Sequence, residues 1–206
     1  MAMQRNPRFV RFLLPVVLIT AAALWWGNSS IETDTFTFSS ARLPNGFDGA
    51  RVVQLSDLHG KAFGKNNERL FAAVEAARPD CILITGDLVD RATDDPVGYA
   101  ASVGAALSAI APTCYVTGNH EWGHGPATVE RLKTALRENG VTVLSNEVLP
   151  WERGGDTILL AGVDDPNGYA DQKTPAQLAA DIYAEYGDPF WLLLAHRNNS
   201  FNGGYC

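Results

Sequence analysis

Three apolar runs in this chain end abruptly in polar side chains of the kinds that bind metal ions or carry protons. Residues 52–59 close on Asp57-Leu-His59, residues 81–90 on Gly86-Asp87-Leu-Val-Asp90, and residues 114–121 on Gly118-Asn119-His120-Glu121. Carboxylates and imidazoles are ligands for divalent cations, and an imidazole near neutral pH also works as acid or base. Taken singly, Asp-x-His is a triplet that arises often by chance, and a Gly-Asp with a later Asp could be a turn with a helix cap. Asn, His and Glu together after a buried strand have little packing value, so Gly118 to Glu121 weighs more. His196 ends a fourth apolar run, Trp191-Leu-Leu-Leu-Ala195. The same kind of place, the end of an apolar run, carries such side chains repeatedly, which chance does not account for.

That place follows from the elements. Residues 81–85 are apolar or β-branched on both faces, as a parallel strand covered on both sides requires, and Gly86 permits the sharp exit that presents Asp87 at the carboxyl end of the strand. Open α/β sheets bind their ligands at that end. Helical spacing is expected over residues 65–78 (Leu70, Phe71, Val74, Ala77), 97–110, 126–139 (Val129, Leu132, Leu136) and 175–186, the last capped by Thr174 and stopped by Gly187. Further strands are expected over residues 141–145, 157–163 and 190–195, and an edge strand over residues 31–39, where Phe36 and Phe38 alternate with threonines. Strand and helix alternate throughout, which predicts a layered α/β sheet.

With 206 residues, of which 46% are hydrophobic, the chain is long enough for one buried α/β domain and a short appendage. The net charge of -7 leaves no basic surplus to neutralise phosphates, so no nucleic acid is expected as a partner. Cys81, Cys114 and Cys206 make no disulfide framework; counted back from Gly86 and Gly118, the first two should face opposite sides of the sheet.

Arg5, Arg8 and Arg11 precede the apolar run from Phe12 to Trp26, and no acidic residue appears before Glu32. A cleaved signal peptide and an uncleaved anchor compete here. The run is shorter than the roughly 20 residues of a full span, which favours the signal. Snorkelling of Arg11, the extension through Phe9 and Val10, the Trp25-Trp26 pair and the lack of a small-x-small cleavage site favour the anchor. The expected organisation is a single-pass N-terminal anchor with its linker over residues 1–30 and a domain over residues 31–206 that the excess of arginine before the anchor places outside the cytoplasm.

In this order, the motifs Gln54-Leu-Ser-Asp57-Leu-His59, Ile84-Thr-Gly86-Asp87, Gly118-Asn119-His120-Glu121 and His196 resemble those of the calcineurin-like metallophosphoesterases, with local wording similar to the membrane-anchored bacterial branch. The resemblance spans about residues 51–196. It implies a layered β-sheet sandwich flanked by helices, and hydrolysis of a phosphomonoester, phosphodiester or pyrophosphate at two divalent metal ions that activate a water. It further implies that Asp57 and His59 hold the first ion, Asn119 and His196 the second, and that Asp87 bridges them. His120 is then the histidine that approaches the substrate, to stabilise phosphoryl oxygens or protonate the leaving group. Such ligands suit Mn, Fe or Zn without choosing among them. A phosphorylated small molecule or a lipid-linked substrate such as UDP-diacylglucosamine is the implied partner. Asp90 is read either as orienting the loop or a ligand imidazole, or as a solvated or capping carboxylate, Glu121 as fixing the turn around His120, and His124 as an exposed bystander. Asp164 and Asp165, beside a Pro-Asn-Gly turn, are read as turn residues at least as readily as site residues.

The family pattern continues past the last strand histidine to a Gly-His-x-His element. Here His196-Arg197 is followed by a polar, Gly-rich stretch to Cys206, and no His-x-His occurs. A product truncated before the C-terminal strands, a working enzyme with water at the open positions, and a pseudoenzyme serving as a membrane-anchored binding or scaffold protein are the three expectations.

Overall fold

A computed structural model describes residues 7–168 and 172–197, with the side chains at 7–12, 25, 28 and 29 left aside. The chain divides into two compact units between Thr35 and Phe36. The first contains helix α1 (Pro7–Ser29), whose side chains at Leu13, Leu14, Val16 to Ile19, Leu24 and Trp26 are exposed. Among the described residues, no helix is long and apolar enough to cross a membrane, so the span expected here is not found.

The second unit holds two sheets. Strands β1 (Val52–Leu55), β2 (Cys81–Thr85), β3 (Thr113–Val116) and β4 (Val141–Val143) run parallel in the order β1-β2-β3-β4. Strands β5 (Glu147–Arg153), β6 (Asp156–Gly162) and β7 (Trp191–Leu194) form the second sheet, β5 antiparallel and β7 parallel to β6. Helices α2 (Glu68–Ala77), α3 (Pro96–Ser108), α4 (Asn119–Trp122) and α5 (Pro126–Glu138) join the strands of the first sheet or follow them, and α6 (Pro175–Tyr186) precedes β7.

The period-two pattern of each strand sorts its side chains between layers. Cys81 and Leu83 of β2, with Cys114 and Val116 of β3, meet Leu160 of β6 and Leu194 of β7, and this apolar layer is the seam between the sheets. The alternate residues of the second sheet, Leu159, Ala161 and Leu193, pack with Leu178 and Ile182 of α6. On the first sheet's other side α3 and α5 pack together and against β4. Gly104 allows their close approach, since a Cβ there would lie 2.9 Å from Leu136 Cδ2. The result is the helix-flanked sandwich that the alternation of elements and the resemblance lead one to expect.

Two local expectations are corrected. Residues 31–39 form no strand; Phe36 and Phe38 are 90% and 69% exposed, and alternation alone cannot stand in for a neighbour to hydrogen-bond. β1 lies at a sheet edge, leaving Val52 40% exposed. The cysteines share a face: the register pairs Leu83 with Cys114, not the positions that counting from the two glycines aligns, so Cys81 and Cys114 both enter the seam. β5 carries Pro150 and reads poorly as a strand, yet it sits at an edge where a missing N–H is tolerated, and the two-residue turn Gly154-Gly155 joins it to β6 with both residues at positive φ.

Candidate metal centre

The loops leaving β1 and β2 continue the parallel ladder past the strands. Asp57 N–H donates to Gly86 O (3.2 Å), His59 N–H to Asp87 O (2.9 Å) and Gly60 N–H to Leu88 O (2.9 Å). Asp57, His59 and Asp87 nevertheless hold φ values of +55°, +51° and +50°. Left-handed backbone at non-glycine residues is uncommon and tends to collect at functional sites. The turns aim all three side chains at one spot on the sheet edge.

Two glycines let the neighbouring loops close on that spot. A Cβ at Gly86 would lie 2.6 Å from Gly118 N and 2.9 Å from His196 Nδ1, and one at Gly118 would collide with the Asp87 carboxylate. Asp87 is buried, and its Oδ1 accepts from the His120 N–H at 2.9 Å. Asp87 Oδ2 faces three imidazoles, with His196 Nε2 at 3.4 Å, His59 Nε2 at 3.8 Å and His120 Nε2 at 3.9 Å. Asp57 Oδ1 lies 3.6 Å from His59 Nε2.

The far nitrogens decide what these rings can offer. His196 Nδ1 lies 3.0 Å from Thr85 O; a carbonyl only accepts, so Nδ1 carries the proton and the Nε2 lone pair points into the site. The His59 and His120 rings stand edge to face, centroids 4.6 Å apart, with Nδ1 atoms 3.5 Å and 3.2 Å from Asp90 Oδ2. Both Nδ1 atoms are buried without an aligned hydrogen bond, so Asp90 acts on them chiefly through charge. The Ala92 N–H on Asp90 Oδ1, together with the two histidines, holds the Asp90 carboxyl below its usual range, so it is ionised at neutral pH. The carboxylate thus fixes its own loop through the Ala92 N–H and faces the two imidazoles from behind.

Two donor groups emerge, His59 with Asp87 and His120, and Asp57 with Asp87 and His196; within each, one ligand atom per residue lies within 4.8 Å of the others. Mixed carboxylate and imidazole donors fit a divalent transition metal, and the orphaned nitrogens behind them fit rings held for ligation or proton transfer. Asn119 is half-buried at the first position of α4, between Gly118 and His120. The resemblance pairs Asp57 with His59; in the structure Asp57 lies beside His59 and also groups with Asp87 and His196.

Glu121 does more than turn the chain around His120. Its side chain is fully buried; Oε2 accepts from Asp87 N (3.1 Å) and Gly118 N (2.9 Å), and Oε1 from Leu88 N (2.6 Å). One carboxylate thus straps the loop after β2 to the loop after β3. Burial pushes its carboxyl up, and the N–H donors pull it partly back. His124 is no exposed bystander, since its Nε2 lies 2.7 Å from Asp90 O and its ring is half-buried.

Asp164 and Asp165 are buried and structural. Asp164 pairs with the buried Lys133 Nζ at 2.7 Å and accepts from Thr117 Oγ1 at 2.8 Å; Asp165 receives Arg197 Nε at 2.6 Å and Nη2 at 3.2 Å, which holds the guanidinium more firmly protonated. Thr117, Lys133 and Arg197 are contributors that the motifs do not reveal. Lys133 left one trace, a lysine beside the apolar stripe of Val129, Leu132 and Leu136.

Among proteins with known names, the chain is 35% identical over 132 residues to a Danio rerio transmembrane protein with metallophosphoesterase domain, covering 60% of this chain and 29% of that protein. It is 31% identical over 141 residues to the uncharacterized metallophosphoesterase YkuE of Bacillus subtilis (66% of this chain, 48% of that one) and 32% identical over 119 residues to YkoQ of the same organism (55% and 43%). The chain spans less than half the length of each of these relatives. The family described as calcineurin-like phosphoesterase matches residues 50–206. That match takes in both sheets and every donor described above, and the chain belongs to the calcineurin-like phosphoesterase family.

Proposed function

We propose that the protein hydrolyses phosphate esters at a centre of two divalent cations held by Asp57, His59, Asp87, Asn119 and His196. The observation that carries this reading is that buried Asp87 belongs to both donor groups, as a carboxylate shared by two cations must. When bound, such a pair neutralises phosphoryl charge and acidifies a water. The chain's own residues do the rest. The strap from Glu121 fixes the Asp87 backbone, the His120 N–H fixes its carboxylate, and the Thr85 carbonyl sets the tautomer of His196. Asp90 Oδ2 lies 3.2 Å from Nδ1 of His120, which leaves Nε2 turned toward the site, where it can serve a phosphoryl or leaving-group oxygen.

The test is hydrolysis of bis(p-nitrophenyl) phosphate by the full chain with Mn²⁺. Turnover lost to EDTA and restored by Mn²⁺ supports the reading, and metal uptake without turnover moves it to the binding or scaffold alternative. Asp90→Asn is expected to lower kcat by about 10–100-fold with the fold unchanged, because the carboxylate behind both imidazoles is lost. A steady-state comparison with the wild type measures it.

For substrate, a lipid-linked phosphate such as UDP-diacylglucosamine is the finer reading, with a nucleotide or generic phosphodiester as the other class. It is supported by the exposed apolar side chains of α1, and by one relative that is named a transmembrane protein. Attachment through the N-terminal helix, with the domain outside the cytoplasm, belongs to the same proposal. Fractionation of cells expressing the full chain tests it: recovery in the membrane pellet supports attachment, and recovery in the supernatant contradicts it.

A further inference from the structure

Asp57, His59, Asp87, Asn119 and His120 all leave strands of the first sheet, and only His196 leaves the second. The group of Asp57, Asp87 and His196 is therefore complete only if the two sheets are held in register at this edge. The seam between them is apolar, and apolar burial is non-directional. It brings the sheets together without fixing a ring to within a fraction of an ångström.

A polar network at this edge supplies the direction. Thr117, which ends the β3 run just before Gly118 and Asn119, donates its hydroxyl to Asp164 Oδ1 (2.8 Å) and accepts from Asp165 N (3.1 Å) and Trp122 Nε1 (3.0 Å). The hydroxyl thereby uses its donor and both acceptor sites on three partners, two from the loop after β6 and one from α4. Asp165 carries the connection onward. Its carboxylate is fully buried and takes Arg197 through Nε and Nη2 in a fork, and Arg197 directly follows His196. Among the described residues the His196 ring has one hydrogen bond, to Thr85 O.

We propose that Asp165 and Arg197 form a latch whose function is to position His196 against Asp57 and Asp87, and so to set the occupancy of that donor group alone. Both are positioning residues and touch neither substrate nor metal. The inference rests on the reading of the site as a two-cation centre, and its signature is asymmetry. General loosening of the fold would weaken both groups, whereas loss of the latch weakens only the one that draws on the second sheet.

Calorimetric titration of the metal-free full chain with Mn²⁺ tests it, with urea unfolding as the control for stability. The wild type is expected to bind two ions. Asp165→Asn and Arg197→Met should each weaken one of them by about 10–100-fold and leave the other within about twofold. Arg197→Lys should restore part of the loss, because an ammonium can pair with Asp165 but cannot make the fork. The double variant Asp165→Asn/Arg197→Met removes both charges together, so no lone buried charge unfolds the chain, and it should show the same one-site loss. Equal weakening of both ions, or of neither, overturns the latch alone. Fewer than two ions in the wild type overturns the two-cation reading and the latch with it.

Discussion

Asp87→Asn is expected to abolish phosphodiester hydrolysis, by about 10³-fold or more, while the protein stays folded. Asn tolerates left-handed backbone, so the φ of +50° at this position remains accessible. Its amide oxygen can still accept the His120 N–H that now reaches Oδ1. What the substitution takes away is the one negative charge common to both donor groups. Several kcal/mol of transition-state stabilisation lost at a metal-dependent centre corresponds to a rate loss of that size. Initial rates with Mn²⁺, alongside a urea unfolding curve, separate loss of chemistry from loss of fold. Activity within tenfold of the wild type would show that Asp87 is not the shared ligand.

The second large effect is expected at Glu121, which no donor group includes. Glu121→Gln replaces an oxygen that accepts backbone N–H groups with an amide nitrogen that can only donate, setting donor against donor in a buried site. Each buried group left without a partner costs about 1–3 kcal/mol, so a fall in Tm of roughly 4–8 °C is expected for about 2 kcal/mol in a chain of this size. Hydrolysis should fall further than stability does, by about 10²-fold, because the strap holds the backbone of Asp87 and a displacement of about 1 Å at a reacting centre has that effect. The pH dependence has a definite sign. Burial raises the carboxyl of Glu121 above its ordinary 4.5, so between that value and the raised one the folded state binds more protons than the unfolded state. The wild type therefore loses stability as pH climbs through that window. Glutamine does not titrate, so the variant should lack this contribution, which urea unfolding at a series of pH values measures.

Much of this was legible from residue types alone, and the particulars show why. β2 announces itself with five continuous buried residues, α6 with Thr174 capping its start and Gly187 ending it, and α5 with an apolar stripe, because each depends on local periodicity or local backbone chemistry. The site motifs are legible for the same reason: each sits within a few residues of the strand end that presents it. What depends on a neighbour was not legible. The shared face of Cys81 and Cys114 follows from the register of β2 against β3, which counting from either glycine alone misplaces. The strap from Glu121 to the loop after β2 and the pairing of Lys133 with Asp164 each join residues more than thirty positions apart. Residues 31–39 carry a strand pattern but pair with no strand among the described residues, so the pattern comes to nothing.

Asp165 and Arg197 extend this contrast to the two sheets. A family motif names His196, yet where the ring sits depends on a salt bridge and a threonine hydroxyl that the motif does not contain. Variation in such supporting residues changes how a centre is loaded while every ligand stays in place.

Metal-free wild-type protein is titrated with Mn²⁺ and the uptake read by calorimetry, with electron paramagnetic resonance reporting whether the bound ions sense each other. Two ions per chain, magnetically coupled in the wild type and uncoupled or lost in Asp87→Asn, is the predicted result. A single ion, or two that remain coupled in Asp87→Asn, would contradict the claim that this buried carboxylate joins two cations.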